Sequence, residues 1–189
     1  NFAPREWAGP WPNLYTQTIY AYMYWHGINI NIPGRGEELL LQKNAAQVMP
    51  TDGKTYYGTT RSSWRVSCLP SSTQAGGEGF AVALPDGTTY YFDWKADRNA
   101  VDLSASYDQE MDLQDSWNLL APLTDVFLYP TKLVDRFGNS LTYAYDPTHP
   151  NRLTAITSND GVRLDVQYNP AGQISSVTSA GRTWSYKYA

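Results

Sequence analysis

The chain has 189 residues, a formal net charge of -4, only 17% charged residues and 14% aromatic ones, among them 15 Tyr and 7 Trp. The carboxylate surplus argues against a general binder of nucleic-acid backbone, whose affinity comes from Lys and Arg. A single cysteine, Cys68, excludes an intrachain disulfide, no Cys/His group has zinc spacing, and no apolar run approaches the length of a membrane span. No cofactor, nucleic-acid partner or membrane span is therefore expected.

In chain order, residues 1–13 combine Pro4, Gly9, Pro10 and Pro12 with Trp7 and Trp11 and read as an extended arm. From Leu14 the pattern becomes strand-like, with Tyr20, Tyr22, Tyr24, His26, Ile28, Ile30 and Ile32 on one parity until Pro33-Gly34-Arg35-Gly36 ends it. Leu39-Leu40-Leu41 has the length of a short buried strand, and Asp52-Gly53 marks a hairpin before Tyr56 and Tyr57. After Arg65 to Leu69, a hairpin over 79–94 is predicted, with Asp86-Gly87 at its turn.

Residues 95–128 break this rhythm. Asp97, Asp102, Asp108, Glu110, Asp112 and Asp115 alternate with Val101, Leu103, Met111, Leu113, Trp117 and Leu119-Leu120, which predicts a short helix or an insertion capping the sheet. These carboxylates lack a calcium-loop pattern and read as a solvated face.

The last third repeats. Gly138, Leu141, Tyr143 and Tyr145 recur 23 positions later as Gly161, Leu164, Val166 and Tyr168, and 20 further on as Gly181, Trp184, Tyr186 and Tyr188. Leu153 and Ile156 return as Ile174 and Val177. A fixed Gly followed by period-2 apolar positions predicts repeated β-hairpins. The period shortens because Asp146 to Leu153 spans seven positions where Asn169 to Ile174 spans five, and Ile156 to Gly161 spans five where Val177 to Gly181 spans four. Those three extra residues are expected in loops, where insertions cost little.

These residues resemble the YD-repeat (Rhs, rearrangement hotspot) family, whose repeats run Tyr-Asp-x-x-Gly-Arg-Leu, a strand, a Gly turn and a strand ending in Tyr. Tyr145-Asp146 and Arg152-Leu153 match the pattern, and Asn169-Pro170-Ala171-Gly172-Gln173-Ile174 is a looser copy. The stretch from Pro130 to Asn139 is similar to the approach to the first repeat, and the hairpin over 79–94 to the Pro-Asp-Gly hairpin that precedes such arrays. In this chain Asn169 follows Tyr168, Gln173 stands where the pattern has Arg, and no Gly precedes Arg152.

The resemblance implies a mainly β fold: antiparallel hairpin repeats forming a continuous twisted sheet, the start of a shell, with little helix. It divides the chain into a pre-repeat β domain over 1–130 and a repeat array over 131–189. Asn1 is not an initiating residue and Ala189 follows a repeat Tyr, so a segment of a longer polypeptide is expected. The implied function is non-catalytic: part of a β wall that encapsulates or presents a C-terminal toxin domain, secreted or at the surface of a bacterium, with further repeats and that toxin as partners.

No enzymatic site is expected beside this. His26 and His149 sit in no nucleophile or metal motif, Asp125 and Asp135 are an unremarkable carboxylate pair, and Cys68 reads as a buried structural thiol. Tyr20, Tyr22, Tyr24, Trp184 and Tyr186 are candidate glycan contacts, since exposed rings stack on sugar faces; the same rings also suit the buried face of a sheet. Tyr145, Tyr168 and Tyr188 share one face and are expected to stack in register from copy to copy. An unpaired edge near Arg182 to Tyr188 further predicts self-association of the chain.

Overall fold

The computed structural model describes residues 5–8, 16–19, 24–42, 49, 51–70, 78–107 and 117–188. Its regular elements are strands: β1 (Arg5–Ala8), β2 (Thr16–Ile19), β3 (Asn29–Ile32), β4 (Gly36–Leu39), β5 (Leu41–Gln42), β6 (Gly58–Thr59), β7 (Arg65–Leu69), β8 (Gly79–Ala83) and β9 (Thr89–Asn99). They continue with β10 (Leu103–Tyr107), β11 (Trp117–Ala121), β12 (Thr124–Val134), β13 (Ser140–Tyr145), β14 (Leu153–Ser158), β15 (Arg163–Tyr168), β16 (Ile174–Ser179) and β17 (Arg182–Ser185). The fold is mainly antiparallel β, and no helix occurs among the described residues.

The chain divides into two compact units. One comprises residues 1–28 and 98–125 and contains two antiparallel pairs, β1 with β2 and β10 with β11. No helix occurs in the described parts of 95–128, which are mostly strand joined by short irregular stretches; residues 108–116 lie outside the described residues. Polar and apolar residues alternate there, a pattern that serves a half-buried strand as well as a helix face.

The other unit, residues 29–97 and 126–189, carries an open eleven-stranded sheet in the order β17-β16-β15-β14-β13-β12-β9-β8-β7-β6-β5. Almost every neighbour in that order is also a neighbour in sequence, so the sheet grows by adding one hairpin after another. It passes through residue 130 without a break, because β12 spans Thr124–Val134. β3 and β4 form a separate hairpin whose Ile30 and Ile32 are buried while Asn29 and Asn31 are exposed. Those two isoleucines join Trp64, Val66, Val82 and Leu84 in the main apolar cluster, with Leu40, Phe80, Tyr90 and Phe92 packed against it.

Two expectations for the first half are corrected. The run from Leu14 to Ile32 is not one strand: β2 ends at Ile19, residues 24–28 form a turn and an irregular stretch, and β3 begins at Asn29. Leu39-Leu40-Leu41 is not a buried strand; β4 stops at Leu39, β5 starts at Leu41, and both are about half exposed at 44% and 46% while only Leu40 packs against the cluster. Asp52-Gly53 does lie in the connection of an antiparallel hairpin, β5 with β6, before Tyr56 and Tyr57, with Gly53 at φ +80 and the Asp52 carboxylate accepting from the Lys54 N–H and the Tyr56 hydroxyl.

Candidate functional site: the repeat ladder and the open edge

One turn is used again and again. In each of 60–64, 84–88, 135–139, 158–162 and 169–173, the first residue's N–H donates to the fifth residue's carbonyl at 2.8–3.0 Å. The fourth residue's N–H donates back to the first carbonyl at 2.9–3.2 Å. This is a three-residue hairpin loop whose fourth position takes the left-handed conformation. Gly87, Gly138, Gly161 and Gly172 occupy that position in the last four. Ser63 occupies it in the first, at φ 62, which is why the sequence pattern did not expose that turn.

The three extra residues fall where the periods placed them. The turn after Tyr145 closes as Asp146 N–H to Arg152 carbonyl (2.9 Å), two residues longer than its counterpart 169–173. At the opposite end of the hairpins, Ser179 pairs directly with Arg182 through Ala180 (φ 48) and Gly181 (φ 73), one residue shorter than 158–162. The longer loop carries the Pro150 carbonyl to the indole N–H of Trp94 on β9, which donates to it at 2.8 Å. The insertion therefore ties the first repeat to a strand that precedes the array.

The repeat tyrosines form a hydrogen-bond ladder. Tyr145 donates its hydroxyl to the Pro130 carbonyl (2.8 Å), Tyr168 to Leu153 (3.0 Å) and Tyr188 to Ile174 (2.9 Å). In the first two copies a register shift immediately precedes the Tyr, at Ala144/Tyr145 and Gln167/Tyr168. Tyr145 and Tyr168 pair across the next strand boundary with Leu153 and Ile174, the residues whose carbonyls receive the following Tyr. Each hairpin thereby prepares the acceptor for its successor.

The expected ring-on-ring stacking of these tyrosines is not what recurs. They sit two strands apart, roughly 9–10 Å, and each ring has different company. Tyr145 stacks between Trp94 (centroids 5.5 Å) and Tyr129 (5.6 Å), which itself stacks on Phe127 (6.2 Å). Tyr168 lies under the Arg152 guanidinium at 5.4 Å, and a Cβ on Gly172 would come within 2.8 Å of the same guanidinium. Arg152, Tyr168 and Gly172 thus meet although they belong to successive copies. Tyr188 is 51% exposed.

Burial, then the neighbouring Tyr143 and Tyr129, pushes the Tyr145 phenol far above its ordinary value. A folded-state value above the unfolded one means the neutral phenol stabilises the fold fully below pH about 10, and that contribution is lost as pH rises beyond it. Tyr145→Phe is expected to cost about 1 kcal/mol at neutral pH through the unpaired carbonyl, with a smaller loss for the more exposed Tyr188→Phe. The Tyr145 variant is also expected to lose less stability than the parent between pH 9 and 12; urea midpoints across that range check both signs.

At the end of the sheet, Trp184 on β17 (49% exposed) is followed on alternate residues by Tyr186 (50%) and Tyr188, which lie just beyond the strand. Trp184 pairs with Val177, which pairs with Val166, so one ring extends an apolar row while its outer side remains open. Of the other candidate glycan contacts, Tyr24 is half-buried in a turn, and Tyr20 and Tyr22 lie outside the described residues.

The remaining candidates do not assemble. His26 is exposed in an irregular stretch rather than within a strand, and His149 faces Asp146 at 3.0 Å on the surface of the longer loop. Asn139 and turn N–H groups hold the Asp135 carboxyl below its usual range, a structural role at the turn. Cys68 is exposed, not buried: it lies near the end of β7, opposite Phe80. Among the described residues no group of three His, Cys, Asp or Glu side chains is placed to hold a metal ion. No helix among them is long and apolar enough to cross a membrane.

The elements together define an antiparallel β-hairpin repeat protein. Compared with protein-family models and with curated proteins, the chain matches none.

Proposed function

We propose that this chain is a non-catalytic wall segment of a YD-repeat (Rhs) protein, part of a β shell that encloses or presents a C-terminal toxin domain in a secreted or surface-borne bacterial polypeptide. The observation that carries this reading is the tyrosine ladder, in which one hydrogen bond and one hairpin geometry recur along an open sheet. A sheet that grows by identical steps, each covering only its neighbour, supplies wall area rather than a reaction centre. Tyr145, Asp146, Arg152, Leu153, Gly172 and the turn glycines act in this reading as the parts of that step.

Negative-stain microscopy of the polypeptide that carries residues 1–189 tests it. Closed hollow particles are expected; extended rods or separate beads would sink the shell reading.

A second reading is a carbohydrate-binding adhesion module, favoured by the half-exposed Trp184 on β17 and Tyr186 just beyond it. It predicts saturable tryptophan fluorescence changes with a panel of oligosaccharides, abolished by Trp184→Ala. A flat titration across the panel would leave the rings a purely structural part.

A further inference from the structure

Three aspartates in this chain are followed by glycine, at Asp52-Gly53, Asp86-Gly87 and Asp160-Gly161, and all of these residues are exposed. Such a pair holds an electrophile beside a nucleophile: the glycine amide nitrogen can attack the aspartate Cγ, and glycine offers no Cβ to hinder the approach. The three share one local geometry, since each carboxylate accepts the N–H two residues on, Lys54 at 3.1 Å, Thr88 at 2.9 Å and Val162 at 3.2 Å. Hydrogen bonds hold all three carboxyls below their usual range, foremost that of the Tyr56 hydroxyl at Asp52, of the Thr88 N–H at Asp86 and of the Ser158 hydroxyl at Asp160. Neither sequence nor ionisation therefore separates them.

The nucleophile does. Gly87 donates its N–H to the Leu84 carbonyl at 3.0 Å and Gly161 to the Ser158 carbonyl at 3.1 Å, inside the recurring turn. That bond fixes the peptide plane, which cannot swing toward the side chain without breaking it. Gly53 stands outside the recurring turn, and its N–H makes no hydrogen bond among the described residues. Asp52 has a second distinction, because the hydroxyl of the buried Tyr56 donates to its Oδ2 at 2.7 Å, within the reach of a general acid. Burial, then the neighbouring Asp52, pushes the Tyr56 phenol up, so its proton is in place at neutral pH. The corresponding donors are the Arg35 guanidinium at Asp86 and the Ser158 hydroxyl at Asp160.

We propose that Asp52-Gly53 is a self-modification site, at which the chain converts its own aspartate to isoaspartate through a cyclic imide, with Tyr56 as the acid. The bond from the Gly53 nitrogen to the Asp52 Cγ forms, and the Cγ–Oδ2 bond breaks. Oδ2 leaves as water with two protons, one from the Gly53 nitrogen and one from the Tyr56 hydroxyl, and solvent returns a proton to the phenolate. A second water then opens the ring. Addition at Cγ restores aspartate; addition at the backbone carbonyl carbon leaves the chain running through the side-chain carbon. The isoaspartyl product adds one backbone atom to the connection between β5 and β6 and draws the carboxylate away from the Lys54 N–H and the Tyr56 hydroxyl that now hold it.

The test incubates the folded 189-residue chain in heavy-oxygen water at neutral pH and follows its peptides by mass spectrometry, since each ring opening leaves one heavy oxygen at the site whichever carbonyl the water enters. Initial labelling at Asp52 is expected on the order of tenfold faster than at Asp86 or Asp160, the factor set by the backbone hydrogen bond that Gly87 and Gly161 must break. In concentrated urea, where no turn survives, the three rates are expected to converge. Tyr56→Phe keeps the buried ring and is expected to slow Asp52 by about tenfold or more while Asp86 and Asp160 keep their rates. Should that variant unfold, replacing tyrosine throughout by fluorotyrosine, a stronger acid, is expected to raise the ratio of Asp52 to Asp86 labelling. Equal labelling at the three sites in the folded chain, an Asp52 rate that folded Tyr56→Phe leaves unchanged or raises, or a ratio indifferent to fluorotyrosine would overturn the proposal.

Discussion

Replacing Trp64 with alanine is expected to cost about 3–5 kcal/mol, the range for emptying a buried aromatic site. Trp64 is 3% exposed and sits in the cluster with Ile30, Ile32, Val66, Val82 and Leu84. It is the last residue of the turn 60–64, and its carbonyl accepts the Thr60 N–H that closes that turn. Its neighbours cannot collapse into the space it leaves, because Val66 and Val82 are paired to each other in β7 and β8 and Ile30 and Ile32 are held by β4. A cavity between elements with fixed ladders retains most of its volume, which is the expensive case. Urea unfolding followed by far-ultraviolet circular dichroism measures the loss. Phe137→Ala, at a ring 75% exposed on a turn, serves as the contrast and is expected to change stability by no more than about 0.5 kcal/mol. Comparable midpoints for the two variants would show that the Ile30-to-Leu84 cluster does not anchor this unit.

The repeats were legible because two independent signals agree there. Gly138, Gly161 and Gly181 mark turns by a backbone requirement, and Leu141, Tyr143, Leu164 and Val166 mark one face by alternation. The loop insertions were legible too, since a change of period locates itself between fixed points. The hydroxyl ladder was not read, although its signal was present: all three positions are Tyr, while the apolar positions before them vary among Leu, Trp, Tyr and Val. A site that keeps the hydroxyl while its neighbours change chemistry needs the hydrogen bond, not only the ring.

Elsewhere single signals misled. Parity from Tyr20 to Ile32 runs unbroken through Gly27, at φ 107, because the glycine falls on the off-parity position and alternation does not see a break placed there. Leu39, Leu40 and Leu41 look like one buried run, yet the chain ends one strand and begins another within it, so one leucine turns inward and two outward. Burial of Cys68 was inferred from residue type alone, and its place near the end of β7 overrides that preference. The meeting of Arg152 with Tyr168 and Gly172, and of Trp94 with Tyr145 and Pro150, required knowing which strands are neighbours. Sequence spacing carries no such information until the strand order is known.

The recurring turn makes opposite predictions at two of its copies. Gly87 has φ +89, and a Cβ built there would stand 2.7 Å from Arg136 Cβ and 3.6 Å from Arg136 Cα, atoms held by the backbone of the neighbouring turn. Gly87→Ala therefore combines left-handed strain of about 1–2 kcal/mol with a contact that only movement of the 135–139 turn can relieve. The sum is expected near 2–4 kcal/mol. Gly138→Ala isolates the first term: its φ is +88 and nothing lies within 4 Å of the added carbon, so about 1–2 kcal/mol is expected. The difference between the two variants thus measures how tightly the 84–88 turn is held against the first repeat. At 60–64 the sign reverses, because Ser63 already bears the strain at φ 62. Ser63→Gly relieves it, at the cost of greater freedom in the unfolded chain, for a net gain of up to about 1 kcal/mol. Equal losses at Gly87 and Gly138 would mean that the turn tips do not press on each other. A loss at Ser63→Gly would mean that its side chain contributes more than the strain removes.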